Sequence, residues 1–336
     1  MEAAFVQENN APTKKEPSGF DKVKKFILGQ KGWLFVLPAV LLMCLFTFYP
    51  IVNSLVLAFK QNVNISGAHN GWGIQNFKDV IDSNIANNID FVKSLENTVI
   101  YAFFSVPISI ILALLIAVAL NSIKAVQKAY QTIFFLPYLT NTLAMGAVFA
   151  TFFNIVGTGR NIETYGLVNN VLQFFGMKPI NWMNVGSKGL AGKFDPVLAR
   201  VVVVIFEVWN GLPFKILILF SALQSVNKQY YDAAKVDGAS KARTLWKITV
   251  PLISPMLSYL FITGMMGGLK SYSAIIGLFG SSGTVSYRMS TIVAYVYECI
   301  GTGLPGHAAA GSLMLFGLIM IFTLINLYVS KKKVHY

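Results

Sequence analysis

The sequence predicts an all-α integral membrane protein with six transmembrane helices. Two observations carry that reading. Apolar residues make up 55% of the 336 and charged residues only 12%, far from the balance of ordinary soluble domains. Five runs, Trp33–Phe59, Thr98–Leu120, Ala129–Ile155, Ile248–Leu269 and Ala308–Ser330, contain no Asp, Glu, Lys, Arg or His. Each exceeds the roughly 20 residues with which an α-helix crosses a hydrocarbon core about 30 Å thick. A sixth run, Val201–Ala222, is interrupted only by Glu207 and Lys215.

Taken in order, residues 1–32 form a polar tail, expected to be disordered over 1–18. Phe20, Val23 and Ile27 fall on one helical face with Lys22, Lys24 and Lys25 mostly elsewhere, the pattern of a short interfacial helix. It leads into the first span, 33–59, which is too long for the apolar part of a cleavable signal peptide. Residues 94–330 form the transmembrane core. Two long polar loops flank its parts, Lys60–Asn97 and Val156–Arg200, either caps that receive an external partner or plain connections. A polar loop at 223–250 lies on the opposite side, and 331–336 form a basic tail.

An even number of spans puts both termini on one side. That side would hold the tail, the Asn121–Lys128 connection, the 223–250 loop and Lys331–Lys333, with 16 of the 27 basic residues. Both termini are therefore expected in the cytoplasm. This bias accounts for the net charge of +13, so nucleic-acid binding is not implied. Cys44 and Cys299 lie far apart and read as two free thiols.

No catalytic constellation is visible. "GTGLPG", Gly301–Gly306, has the letters of a dinucleotide fingerprint but follows no βαβ pattern. "GSKGLAGKF", Gly186–Phe194, has one residue too many for a phosphate loop, and Phe194 where Ser or Thr would hold magnesium. His69, His307 and His335 lack metal-ligand spacing. The chain is read as a non-enzyme with no metal or cofactor of its own.

Charges within the apolar runs are more informative. Glu207 and Lys215 lie eight residues apart, about two helical turns, so they share roughly one face. Lys270 sits midway through the tract Ile248–Phe279, beside Tyr272. Ionisable groups in lipid face a water-filled cavity or one another. With Trp209 and Asn210 these residues either line a polar-solute pathway, or the charged ones form an intramembrane ion pair or snorkel from the span ends. No internal repeat suggests a carrier built from inverted halves.

The loop "YYDAAKVDGASKARTLWKITVP", Tyr230–Pro251, reads as two short helices. Gln229–Val236 favours helix, with Asp232 placed near its start, where a carboxylate suits the dipole. Ala233 and Ala234 allow close approach of a partner. Gly238 can take the left-handed conformation that ends a helix, and Ser240 can cap the next. The expected result is a stiff elbow with an exposed small-residue surface and Pro251 at the start of the fifth span.

This stretch resembles the signature loop of membrane subunits in binding-protein-dependent ABC importers. The family form is Glu-Ala-Ala, three residues, Gly, nine residues, Ile-x-Leu-Pro. Asp232-Ala233-Ala234, Gly238, Ile248 and Pro251 match its intervals, with Asp232 replacing Glu and Val250 replacing Leu. Asp237-Gly238-Ala239 is similar to the carbohydrate-uptake branch, the maltose and glycerol-phosphate type. "WLFVLPAVLLMCLFTFYPIVNSLVLAF", "AYQTIFFLPYLT", "PINWMN" and "GLPGHAAAGSLML" resemble further parts of the sugar permeases. "GLFGSSGT" departs from the Thr-x-Gly-Gly-Pro common after their fifth span.

The resemblance implies a type I ABC importer permease fold in a prokaryotic cytoplasmic membrane. It implies a second related permease, two cytoplasmic ATPases that use ATP and magnesium, and an extracytoplasmic sugar-binding protein. Asp232, Ala233, Ala234, Asp237, Gly238 and Ala239 would then couple to the ATPase. The competing reading is an autonomous carrier or channel using Glu207, Lys215 and Lys270.

Overall fold

The computed structural model describes residues 31–63, 67, 70–82, 90–123, 132–133, 136–153, 155–156, 164–183, 194–280 and 289–333. The N-terminal interfacial helix, the Asn121–Lys128 connection beyond Ile123 and nearly all of the 186–194 string lie outside them. The chain divides into two units, 1–54 and 55–336.

In the first unit, α1 (Lys31–Met43) runs through a π-turn, Cys44–Phe48, into α2 (Tyr49–Phe59), which ends in the second unit. The first predicted span is thus helical throughout. The π-turn has a local cause. Pro50 has no N–H to give the carbonyl four residues back, and its ring crowds that carbonyl. The preceding turn widens, and Tyr49 N–H donates to Cys44 instead. Phe35 is 86% exposed and Trp33 69%, as suits lipid contact.

The second unit continues with α3 (Gln75–Ile81) and α4 (Phe91–Ser122). A 3₁₀ turn, Leu136–Leu139, precedes α5 (Thr142–Phe153). A two-residue antiparallel pairing joins β1 (Ile155–Val156) to β2 (Thr164–Tyr165), ahead of α6 (Leu167–Phe174). Next come α7 (Pro196–Ser225), α8 (Lys228–Val236) and α9 (Lys241–Thr244). A second π-turn, Leu245–Thr249, leads to α10 (Val250–Leu252) and α11 (Ser254–Gly268). The chain closes with α12 (Ser273–Phe279), α13 (Ile292–Gly301) and α14 (Pro305–Lys333).

Among the described residues four helices are long and apolar enough to cross a membrane, the one ending at Phe59, α4, α7 and α14, with a fifth if the bent pair Lys241–Gly268 counts as one span. The predicted third and fifth spans differ from uniform rods. Within Ala129–Ile155, residues 132–133 are helical, a 3₁₀ turn follows at Leu136–Leu139, and α5 starts anew at Thr142, where Asn141 Oδ1 caps it by accepting from Leu143 N at 2.9 Å. Ile248–Leu269 is bent by 71° between Leu252 and Ser254. Its first residues belong to the second arm of the elbow. Pro251 and Pro255 each fit the first turn of a new helix but not the interior of an old one. The π-turn before Pro251 repeats the arrangement before Pro50, with Val250 N–H donating to Leu245.

Small residues let the long helices approach. Ala102, Ala113 and Ala117 of α4 are buried against Leu219, Phe220 and Leu223 of α7 and Leu260 and Met265 of α11. A second cluster joins α3, α13 and α14 through Val80, Ile292 and Ala308–Ala310. A third joins Tyr101, Phe153, Phe206 and Ile275. At the α5–α12 crossing, a Cβ on Gly277 would lie 2.6 Å from the Leu143 carbonyl oxygen and 3.0 Å from Gly146 Cα. Only glycine permits that approach.

Candidate functional site

The elbow is built from local capping chemistry. Asn227 Oδ1 accepts from Gln229 N at 3.0 Å and starts α8. The cap is therefore Asn227, and Asp232 lies in the middle of the helix rather than near its start. Gly238, at φ 68°, ends the arm. Ala239 N donates to Ala234 O at 2.9 Å, closing a Schellman-type turn. Ser240 Oγ then accepts from Arg243 N at 3.3 Å and starts α9. Across the elbow, Thr249 Oγ1 donates to the Tyr231 hydroxyl at 3.4 Å. The two arms are thereby tied.

Side chains divide by face. Tyr231 and Ala234 turn inward, and Ala234 is only 5% exposed. Of the two alanines expected on the docking face, Ala233 is exposed and Ala234 packs within the chain. The outward stripe is Tyr230, Ala233 and Val236, three residues apart, with Val236 88% exposed. An apolar stripe at helical spacing on solvent is a partner-binding pattern. Asp232 and Asp237 flank it, both exposed, with Gly238 at the tip and Ala239 half-buried. Asp232 pairs with Lys235 at 3.3 Å on the open surface, a contact worth little by itself.

The membrane-embedded groups split into two places. Glu207 of α7 accepts a hydrogen bond from Ser271 Oγ, and Ser271 O accepts from Thr291 Oγ1 at 2.6 Å. Ser271 lies between Lys270, exposed in the turn after α11, and Tyr272, whose ring stacks on Tyr297 with centroids 4.5 Å apart. Trp209 is half-buried and stacks on Phe149 at 6.0 Å; Asn210 is half-buried beside it. Glu207 thus bonds Ser271, whose chain neighbours are Lys270 and Tyr272; the sequence reading missed Ser271 along with Thr291 and Tyr297.

Lys215 is elsewhere. Its Nζ donates to Ser109 Oγ at 2.5 Å, and Ser109 in turn donates to Val106 O at 2.9 Å. The ammonium is buried where α4, α7 and α11 meet. Gly211 and Gly264 make room: a Cβ at Gly211 would sit 2.8 Å from Nζ, and one at Gly264 3.8 Å from Cε. Among the described residues no salt bridge within 4 Å joins Glu207 to Lys215; each bonds a serine instead.

Polar groups at the far end from the elbow brace the bundle. Arg200 of α7 reaches Glu96 Oε1 at 2.9 Å and Asn97 Oδ1 at 3.0 Å. Asn97 and Ser94 hold Ser290, and Thr98 Oγ1 caps Ile292 N at 2.9 Å. His307 lies 3.6 Å from Asp79, and no cluster of three metal-ligating groups occurs among the described residues.

The tied, glycine-ended elbow thus leads through its second arm and the 71° bend into α11. Residues 87–335 match the family described as binding-protein-dependent transport system inner membrane component. The chain belongs to that family. As a binding-protein-dependent inner membrane component it is a multi-pass transport subunit and not an enzyme, in line with the sequence reading. This permease is 30% identical over 298 residues to a probable ABC transporter permease of Mycoplasma genitalium, covering 88% of this chain and 84% of the relative. It is 26% identical to the lactose transport permease LacF of Rhizobium radiobacter, covering 90% and 94%. The arabinooligosaccharides transport permease AraP of Bacillus subtilis is 28% identical, covering 89% and 88%. The fold is shared with a chain of a bacterial alginate ABC transporter, crystallised with a pentasaccharide-bound periplasmic protein. The TM-score is 0.74 at 21% identity, over 96% of this chain and 100% of that one. The type I ABC permease fold expected from the elbow signature is therefore the fold of this permease.

Proposed function

We propose that this permease forms half of the translocation pathway of an ATP-driven carbohydrate importer. A second related permease supplies the other half, two cytoplasmic ATPases bind ATP and magnesium, and an extracytoplasmic sugar-binding protein delivers substrate. Both termini and the elbow face the cytoplasm. The relatives named for lactose and arabinooligosaccharide transport support the substrate class.

The observation that carries the coupling role is the elbow's outward stripe on a braced lever. Tyr230, Ala233 and Val236 present an apolar edge with Asp232 and Asp237 beside it, suited to an apolar groove with cations at its rim. Gly238 keeps the tip free of side chain, and the tied arms pass a push into α11 as a rigid body. Glu207, Trp209, Asn210, Lys270 and Tyr272 contribute to the polar sugar pathway, with the Tyr272–Tyr297 stack as an aromatic platform. Lys215 joins α4 to α7 at its edge. A photo-reactive residue in place of Val236 tests the coupling. Cross-linking to the co-expressed ATPase is expected. Efficient assembly with no cross-link there or at Tyr230 would refute this surface.

A further inference from the structure

A groove of about 580 Å³ runs between α4, the elbow's second arm, α11 and the last turns of α14. Its walls are large and apolar, among them Pro107, Ile111, Leu115, Leu257, Phe261 and Val329. Along α4 from Pro107 to Leu115 it extends about 12 Å, most of the roughly 15 Å depth of one leaflet. At the elbow end the groove is bordered by Trp246, 60% exposed, in the manner of an interfacial aromatic.

The same end is rich in positive charge. Arg243 and Lys247 are exposed on the elbow's second arm, and neither pairs with a carboxylate among the described residues. A helix-packing seam would favour small residues and need no cations at its end. A cleft of Leu, Ile, Phe and Val that opens onto cations has the chemistry of an acyl chain below an anionic headgroup.

We propose that the groove holds one acyl chain of an anionic phospholipid, with its phosphate between Arg243 and Lys247. The lipid wedges the second arm against α4 and α14 and so sets the angle at which the elbow meets α11. The assignment to the cytoplasmic leaflet rests on the proposed orientation of the elbow; the binding itself does not.

The test uses the full chain in its assembly, purified in mild detergent and examined by native mass spectrometry with added phosphatidylglycerol or phosphatidylethanolamine. One retained phosphatidylglycerol per chain is expected. Each cation contributes about a fivefold change in affinity, so Arg243→Ala with Lys247→Ala lowers it roughly thirtyfold. Ser258→Phe, which fills the groove, abolishes retention. Equal retention of the two lipids, or retention unchanged in the double variant, would overturn the proposal. So would cross-linking of Ser258→Cys to a helix of another subunit, which identifies a protein occupant. Thiol labelling of Val236→Cys from the outside alone would overturn the leaflet and leave the lipid site standing.

Discussion

Gly238 is the most instructive residue to perturb, because backbone and partner effects separate there. Its φ of 68° disfavours side chains, yet a Cβ built on it meets nothing within 4 Å in the chain. Gly238→Ala therefore costs about 1–2 kcal/mol, from backbone conformation alone. Asn tolerates the left-handed region better and should cost less. A side chain leaves the tip into open space at its Cβ, so for the isolated permease Leu is expected to cost about what Ala does. If the tip sits against an ATPase surface, Leu must do far worse in the assembly. Thermal unfolding of the purified chain measures the first quantity; co-purification of the ATPase and sugar uptake measure the second. The expected pattern is equal stability for Ala and Leu, with assembly or uptake at least tenfold lower for Leu, an excess of about 1.4 kcal/mol. Assembly and uptake in the Leu variant equal to those of Ala would refute the docking argument.

Further predictions follow from the buried contacts. Asn76, 1% exposed, donates to the carbonyls of Ala58 at 2.9 Å and Lys60 at 2.7 Å. Asn76→Ala should lower stability by about 1–3 kcal/mol, read as a fall in unfolding temperature. Gly277→Ala should cost about 1–3 kcal/mol through overpacking against Leu143 and Gly146, by the same assay. Lys215→Met should leave stability equal or higher, since it removes a buried charge, whereas Ser109→Ala should lower it by about 1–3 kcal/mol by stranding the ammonium. Glu207→Gln keeps an acceptor for Ser271 and should assemble normally. Glu207→Ala should lose more stability than Gln, and a reversed order would remove Ser271 from the site.

Local chemistry was legible in the sequence, and contacts across the fold were not. The elbow could be read because Gly238 and Ser240 determine their own turns within a few residues. The face of Ala234 could not, since its burial depends on where α8 packs. Charge-free runs located the spans, but the same apolar letters serve a rod or a bent pair. Only the prolines at 251 and 255 signal the 71° bend. The partners of Glu207 and Lys215 are serines 64 and 106 residues away. A lone serine in an apolar helix bonds its own backbone as readily as a distant ammonium, so nothing in the sequence marks Ser109 or Ser271.

Reconstitution in proteoliposomes tests the central claim most directly. With the second permease, both ATPases, the sugar-binding protein and ATP present, sugar is expected to accumulate. This polypeptide alone should move none, and neither should the assembly without ATP. Sugar flux through the single polypeptide without ATP would contradict the account and leave an autonomous carrier or channel in its place.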